Sequence, residues 1–224
     1  MQLWTDVILP AFATFFVIID PLGLMPIFIA LTRGQPHTEQ QRVATRAVLL
    51  ATAILLLFAF FGEAIMRLFG ITIPAFRIAG GILLFLIAME MLFEKRAERR
   101  RRSASGHHAD RADKPAAVSG LADDDDIWVF PLGIPLIAGP GAITSVILLM
   151  GQWRGDVAAQ TAIVVTLLVV LAITWGLFFI TSHAGRFLND TATRAISRLL
   201  GIILAALAVQ FVITGVTSAL RALS

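Results

Sequence analysis

The chain contains two apolar stretches that prolines and glycines interrupt, IIDPLGLMPIF at residues 18–28 and PLIAGPGAITSVI at residues 135–147. Proline removes a backbone donor and clashes with the preceding helical turn, and glycine costs up to about 1 kcal/mol in a helix interior. The Asp-Pro pair of the first stretch and the Gly-Pro pair of the second lie 119 residues apart. The pattern predicts two helices, the first and the fourth of the chain, that are each broken at mid-membrane.

Composition places the chain among membrane proteins. Of its 224 residues, 58% are hydrophobic and 15% are charged, with a mean hydropathy of +0.84. Ordinary globular proteins carry roughly 25% charged residues. A hydrocarbon core takes about 20 helical residues to cross, and an isolated apolar run in lipid must be helical. Six runs qualify as transmembrane helices, namely 7–31, 43–68, 71–93, 127–150, 157–182 and 194–218.

A second match between the two halves supports an internal repeat. RIAGGILLFLIAM at 77–89 corresponds to RLLGIILAALAV at 198–209, 121 residues later when the leading arginines are aligned. A unit of three spans inverts relative to its copy because three is odd. Inverted repeats with broken helices at matching positions are typical of secondary transporters. The sequence therefore predicts an all-α membrane protein with six transmembrane helices in a 3+3 inverted repeat.

A polar segment separates the halves. It opens with a basic run, ends with four aspartates and has no apolar face, so it cannot form a packed core. We predict a first three-helix repeat at 1–94, a charged cytoplasmic linker at 95–126 and a second repeat at 127–224. Two interpretations of the linker stay open, a solvated tether and a docking segment for a partner or lipid.

The basic residues predict the orientation. The chain has a net charge of +3, and its basic residues lie in the gaps between apolar runs, which argues against a nucleic-acid-binding surface. Of the 18 Lys and Arg residues, 14 fall on the side that holds the first, third and fifth connections. The positive-inside rule therefore predicts that both termini face outside the cytoplasm.

The two interruptions define the candidate site. An unwound helix exposes N–H groups that attract anions and carbonyl groups that attract cations. Two such breaks facing each other at mid-membrane predict a small polar pocket suited to a zwitterion. The predicted substrate-binding residues are Asp20, Pro21, Gly23, Gly139, Pro140, Gly141, Thr144 and Ser145.

Several of these side chains have more than one interpretation. Asp20 could contact a substrate ammonium, carry a coupling proton or cap the half-helix that follows it. Thr144 and Ser145 could donate to a substrate carboxylate or bond to their own helix. Glu90 and Gln210 are candidates for a secondary pathway; the alternatives are pairing near the linker for Glu90 and a bond between helices for Gln210.

The residue types argue against catalysis. Cysteine is absent, which excludes disulfides and thiolate metal sites. The apolar runs contain no paired carboxylates, no histidine cluster and no nucleophile with a neighbouring base. We therefore expect no enzymatic activity, no metal and no cofactor.

Three motifs resemble the signatures of the MarC/SnatA family of bacterial and archaeal membrane proteins. They are FFVIIDPLGLMPIFIALT at 15–32, RIAGGILLFLIAMEML at 77–92 and PLGIPLIAGPGAITSVILLM at 131–150. The resemblance runs across all six spans and leaves out the linker. It implies a neutral amino acid transporter of the bacterial cytoplasmic (inner) membrane, with glycine and alanine as typical substrates and a proton gradient as the driver.

The residues and the resemblance together favour proton-coupled secondary transport of small neutral amino acids. Two other functions stay open, an exporter or channel for another small metabolite or drug, and a non-transporting membrane scaffold. The expected partners are a neutral amino acid, protons and membrane lipid, without nucleic acid. The sequence leaves a homo-oligomer open.

Overall fold

The structure, a computed structural model, describes residues 3–32, 34–92, 128–184 and 190–221. All regular secondary structure in these ranges is helical, as the sequence predicts. The α-helices are α1 (Leu9–Ile19), α2 (Pro21–Leu31), α3 (His37–Leu68), α4 (Ile73–Leu92), α5 (Pro140–Gln152), α6 (Val157–Ala184) and α7 (Asp190–Arg221). Two π-helical segments, π1 (Trp4–Ile8) and π2 (Val129–Ile137), precede α1 and α5. The predicted linker at 95–126 lies outside the described residues.

Four helical stretches are long and apolar enough to cross a membrane. They are Trp4–Leu31, His37–Leu68, Val157–Ser182 and Arg198–Arg221, with 28, 32, 26 and 24 residues. The other two predicted spans coincide with shorter apolar helices, Ile73–Met89 and Pro140–Gln152. The structure therefore shows a helical protein with several membrane-spanning candidates, and the count of six stays a prediction.

Two helices begin earlier than the apolar pattern indicates. We predicted the second span from residue 43, whereas α3 begins at His37. Its first turn is polar, and Glu39 pairs with Arg42 at 2.7 Å. Likewise α7 begins at Asp190 rather than at 194. Apolar length marks only the part of a helix that lipid requires, because capping and ion pairs extend helices into polar surroundings.

The core lies between α1, α2, α3, α5 and α6. Phe15, Leu24 and Leu55 have no exposed surface, and Ile163 and Leu167 complete the same cluster from α6. Large apolar side chains also cover the outward faces of the helices; examples are Leu49, Leu57, Phe60, Ile82, Leu86, Ile180, Leu199 and Ile202. A contiguous apolar exterior of this kind is characteristic of a surface that meets lipid.

Helices α4 and α7 form the most extensive helix pair in the described chain. A Cβ atom on Gly81 would lie 2.8 Å from the carbonyl oxygen of Ala208, and one on Gly201 would lie 3.5 Å from that of Ala88. Each helix therefore presents a glycine to the backbone of the other, as small residues do in membrane helix contacts. An offset of 120 residues turns the first contact into the second, because it relates Gly81 to Gly201 and Ala88 to Ala208. The packing thus pairs Gly201 with Gly81, whereas the alignment of the two arginines, with an offset of 121, pairs it with Gly80.

The burial of α3 and α6 repeats with the offset of the Asp-Pro and Gly-Pro pairs. Residues 44, 47, 48, 51, 55, 59 and 62 are buried in α3, and the residues 119 further along are buried in α6. Contacts between helices follow the same exchange. Helix α3 packs on α5 and π2, whereas α6 packs on α1 and α2. Helix α4 packs on α5, whereas α7 packs on α1 and α2.

Candidate functional site

The first helical interruption is centred on Asp20. Helix α1 ends at Ile19, Asp20 has φ 50° and ψ 63°, and α2 begins at Pro21. This left-handed conformation is unfavourable for most side chains, and Asp and Asn tolerate it best. Among the described residues, Asp20 is the only non-glycine with a positive φ. Its carboxylate is 2% exposed and its Oδ1 accepts a hydrogen bond from the Gly23 N–H at 3.0 Å. The capping role is therefore present in the structure.

Gly23 leaves room for this cap. A Cβ atom on Gly23 would lie 2.7 Å from Cγ of Asp20 and overlap its Oδ2. Real Cβ atoms do not approach other heavy atoms so closely, so an alanine here would displace the carboxylate. Pro21 at the first helical position has no N–H to satisfy, and its fixed φ suits a helix start. The motif Asp-Pro-x-Gly thus ends one helix and starts another within a single residue.

The second interruption lies at Ala138 and Gly139. Segment π2 ends at Ile137, and the Ala138 N–H bonds to the Gly133 carbonyl at 3.0 Å, a π-type spacing of five residues. Gly139 is extended, with φ −77° and ψ 169°, and α5 begins at Pro140. Gly133 lets π2 approach α3, because a Cβ there would lie 3.0 Å from Cδ2 of Leu50.

The two interruptions differ in how the following helix is capped. Asp20 caps α2 through its side chain, whereas no side chain caps α5, since its N-cap residue is Gly139. The first N–H groups of a helix have no partner within the helix and carry partial positive charge. The buried start of α5 at Gly141 and Ala142 therefore offers donors to an anionic group.

The fold brings the two interruptions together. A Cβ atom on Gly141 would lie 3.3 Å from Cγ2 of Ile18, which precedes Asp20 by two residues. The same position meets Leu84 and Ile87 of α4 at 3.1 and 2.9 Å. The start of α5 is thus enclosed by the end of α1 and by α4, with apolar side chains as the immediate neighbours of Gly141.

Thr144 and Ser145 follow on the enclosed part of α5. Thr144 is 3% exposed and its side chain lies over Gly80 of α4, where an added Cβ would be 3.2 Å from the Thr144 Cβ. Ser145 is fully buried, and its hydroxyl has no hydrogen-bond partner among the described residues. A buried hydroxyl without a partner costs about 1–3 kcal/mol, so such a group points to a bound polar molecule or water. Ser145 shares a helix face with Gly141, four residues earlier.

The remaining predicted residues lie further from this enclosure or at its edge. Gly139 is half-buried, and Pro140 is exposed. Gln210 lies on the exposed face of α7, where its Nε2 donates to Thr214 Oγ1 at 3.2 Å. The Glu90 side chain lies outside the described residues.

A cavity of about 340 Å³ lies elsewhere, at the end of the bundle where α3 and α5 end and α6 begins. Its charged lining residue is Glu63, which pairs with Arg154 of the α5–α6 turn and with Arg67 at 3.3 Å. Gln160 lines the opposite wall and donates to the Met150 carbonyl at 3.3 Å. The sequence analysis missed this cluster because Glu63 sits within a predicted span. The spacing of Glu63 and Arg67, one helical turn apart, was the available signal.

Comparison with known proteins bears on the identity of this helical arrangement. The model of the MarC family of integral membrane proteins matches residues 5–220. The chain belongs to the MarC family. The resemblance inferred from the three motifs is therefore confirmed over nearly the whole chain.

Named relatives agree with this assignment. A UPF0056 membrane protein of Methanocaldococcus jannaschii is 36% identical over 94% of this chain and 96% of its own length. The UPF0056 membrane protein YhcE of Escherichia coli is 35% identical over 92% of this chain and 89% of its own. The UPF0056 inner membrane protein YhgN of the same organism is 32% identical over 93% and 95%. No solved structure matches the chain significantly. The family model and these relatives establish an integral membrane protein.

Proposed function

We propose that this MarC protein is a secondary transporter of small neutral amino acids, coupled to protons. The observation that carries the proposal is the meeting of two helix interruptions inside the bundle, at Asp20 and at Gly139. They lie 119 residues apart, the offset with which burial repeats between α3 and α6. A helix that only crosses lipid has no need of two such breaks, whereas transporters bind substrate at them.

The architecture that we propose has six spans in a 3+3 inverted repeat. The reciprocal glycine contacts of α4 and α7 support it, because an inverted pair of helices that crosses at a pseudo-two-fold axis makes each contact twice. In this scheme π2 and α5 together make up the fourth span. In this scheme both termini face outside the cytoplasm, and the name of the inner membrane relative supports the same membrane for this chain.

The proposed pocket distinguishes the two ends of a zwitterion. The start of α5, without a side-chain cap, and the unpartnered hydroxyl of Ser145 suit the carboxylate of an amino acid. The buried carboxylate of Asp20 suits its ammonium or a coupling proton. Neutral side chains fit the apolar neighbours Ile18 and Ile87, and the close packing around Gly141 favours side chains as small as those of glycine and alanine.

An exporter or channel for another small metabolite or drug is the second candidate. The tight enclosure at Gly141 disfavours bulky drugs, since a single added methyl group already meets three side chains. A membrane scaffold has no use for a buried, unpartnered hydroxyl beside two helix breaks.

Counterflow of labelled glycine in proteoliposomes tests the proposal. We expect label to accumulate when the vesicles are preloaded with unlabelled glycine or alanine. We also expect a pH gradient in one of the two directions to accelerate net uptake. Preloading with leucine or with a cationic drug is the matched comparison. Absence of glycine counterflow from protein that is folded in the vesicles would overturn the substrate assignment. Counterflow without any response to pH would overturn the proton coupling alone.

A further inference from the structure

The cavity at the Glu63 end of the bundle corresponds to a place at the opposite end when the two halves of the chain are aligned. Its lining includes Ala59 of α3 and Ile147 of α5. The residue 119 after Ala59 is Phe178, and the residue 119 before Ile147 is Phe28. This is the offset that relates the burial of α3 to that of α6 and the Asp-Pro pair to the Gly-Pro pair. The cavity and the two phenylalanines therefore occupy equivalent places in the two halves.

At the place equivalent to the cavity, the two phenylalanines fill the space between the helices. Their rings stack with centroids 4.6 Å apart and an interplanar angle of 11°, and neither side chain has exposed surface. The stack joins α2 to α6. Aromatic rings bury far more surface than alanine or isoleucine side chains, so the pair closes a gap that Ala59 and Ile147 leave open.

The chain around the stack is tied down as well. Thr32, which follows α2, is 1% exposed, and its Oγ1 donates to the Phe28 carbonyl at 2.8 Å. Gln40 of α3 donates through Nε2 to the carbonyls of Thr32 and Gln35, at 3.3 and 3.1 Å. These bonds tie Thr32 to the end of α2 and to Gln40 of α3. At the other end, an ion pair between Glu63 and Arg154 holds the α5–α6 turn at the side of an open cavity.

We propose that the cavity is the vestibule through which a small zwitterion reaches the buried site, and that the Phe28–Phe178 stack is the gate at the opposite end. This inference rests on the proposed transport function. Glu63 lines the vestibule together with apolar side chains such as Phe58 and Val164, and it pairs with Arg67 and Arg154. This cluster holds both signs of charge, which suits the ammonium and the carboxylate of one ligand.

Ile147 of α5 lines the cavity and is 6% exposed. It also touches Gly62 of α3, where a Cβ atom would be 2.9 Å from its Cδ1. The Ile147 side chain is therefore the floor of the vestibule, in the place that Phe28 holds in the other half. Among the described residues, the Glu63 end therefore holds a cavity, and the equivalent place at the phenylalanine end is filled.

Thiol labelling tests this inference without reference to transport, since the chain has no cysteine of its own. Gly151 lines the cavity, and a side chain there meets nothing within 4 Å. Thr32 stands 119 residues earlier, at the equivalent place beside the stack. Gly151→Cys and Thr32→Cys are reacted with a charged methanethiosulfonate in open membranes, so that the reagent reaches both faces of the protein. We expect Gly151→Cys to react about tenfold faster or more, because thiol reactivity follows exposure.

Opening the gate should remove this difference. Adding Phe178→Ala to Thr32→Cys should raise its labelling rate about tenfold, and adding Phe178→Leu, which keeps an apolar plug, should raise it less. Equal rates for Gly151→Cys and Thr32→Cys in the parent protein would overturn the inference. So would a Thr32→Cys rate that Phe178→Ala leaves unchanged.

A transport measurement separates this inference from the proposed function. Ala59→Phe places a ring in the vestibule and should reduce glycine counterflow at least about tenfold, whereas Gly176→Ala, outside the vestibule lining, should retain it. If the two cysteine variants label asymmetrically but the folded parent protein shows no glycine counterflow, the proposed substrate is wrong and the difference between the two ends stands. If the parent protein transports glycine but the two cysteine variants label equally, the gate is wrong and the transport function stands.

Discussion

Asp20 combines two properties that rarely coincide in one membrane-buried residue. Its backbone is left-handed with φ 50°, and its carboxylate caps the next helix through the Gly23 N–H. Both properties favour Asp or Asn over other side chains, since these residues tolerate the left-handed region and cap helices well. The local geometry therefore accounts for the residue type, and the transport role concerns only the charge.

The substitutions Asp20→Ala and Asp20→Asn separate geometry from charge. Asp20→Ala loses the cap, worth about 1 kcal/mol, and adds about 1–2 kcal/mol of left-handed strain, so the free energy of unfolding should fall by about 2 kcal/mol. Asp20→Asn keeps both and should unfold like the parent in a denaturant titration in detergent. If Asp20 holds the ammonium, Asp20→Asn should weaken glycine affinity; if it carries the proton, it should change the pH response of uptake. Parent-like affinity and pH response in Asp20→Asn would remove Asp20 from the site.

Gly80 matters through one methyl group of Thr144. A Cβ atom at position 80 would overlap Cγ2 of Thr144, so Gly80→Ala should lower the free energy of unfolding by about 1–3 kcal/mol, the usual range for overpacking. Thr144→Ser removes that methyl group and should restore most of the loss in the double variant. Gly176→Ala is the matched control, since its Cβ meets nothing within 4 Å. Equal stability of Gly80→Ala and Gly176→Ala would show that this contact is absent.

At the scale of elements, α4 and α7 pack through two reciprocal glycine contacts of unequal tightness. The Gly81 contact would bring a Cβ to 2.8 Å from a backbone carbonyl, whereas the nearest atom to a Cβ on Gly201 is the Met91 Cβ at 3.1 Å. A carbonyl oxygen and a Cβ atom are both fixed by the backbone, so neither can rotate away, and the shorter distance makes the Gly81 contact the tighter one. The two sides of the crossing therefore tolerate a methyl group differently.

We expect Gly81→Ala to destabilise the protein more than Gly201→Ala, by roughly 1 kcal/mol, because its Cβ meets backbone on the partner helix. Thermal unfolding in detergent, followed by circular dichroism, measures the order. The reverse order, or two substitutions without effect, would contradict this close helix crossing.

The start of α5 is enclosed tightly enough that one methyl group should alter the site. Gly141→Ala would place a Cβ 2.9 Å from Cδ1 of Ile87 and move α5 away from α1 and α4. We expect weaker glycine binding, by about tenfold for a shift of about 1.4 kcal/mol, with most of the protein still folded in the membrane. Gly176→Ala on α6 is the control, because its Cβ is unobstructed and it lies outside the vestibule lining. Parent-like glycine affinity in Gly141→Ala would place the substrate elsewhere.

At the scale of the whole molecule, the distribution of basic residues predicts the orientation. Only 4 of 18 basic residues lie on the side that we assign to the exterior, among them Arg67 and Arg154 at the vestibule. The same assignment places the vestibule outside the cytoplasm and the Phe28–Phe178 gate at the cytoplasmic end. A measurement of the membrane topology therefore tests both the orientation of the chain and the side on which the proposed gate lies.

A reporter fused after Ser224 should give an extracytoplasmic signal, and one inserted between residues 101 and 123 a cytoplasmic signal. The physical reason is the retention of basic loops on the cytoplasmic side. Paired phosphatase and fluorescent-protein fusions measure both positions. Signals on the same side for the two positions would contradict an odd number of spans in the second half, and with it the inverted repeat.

The sequence by itself determined the helical class and the MarC membership, and its Asp-Pro and Gly-Pro pairs stand where α2 and α5 begin. These features are local: apolar length makes a helix in lipid, and Pro with Gly or Asp ends one whatever surrounds it. Helix ends in polar turns, such as the start of α3 at His37, escaped the apolar pattern because ion pairs and caps extend them. The capping interpretation of Asp20 was likewise readable from its place before a proline.

Only the tertiary structure decided which side chains meet. Gly80 lies under Thr144, Ile18 lies against Gly141, and Phe28 stacks on Phe178, all between residues far apart in the chain. Gln210 was a pathway candidate because of its central position in the predicted span, but it lies on the exposed face of α7. Periodicity specifies that a helix has faces, but the azimuth of each face depends on how neighbouring helices pack. That packing left Ala59 and Ile147 beside a cavity and buried two phenylalanines at the equivalent place, a difference that no local pattern contains.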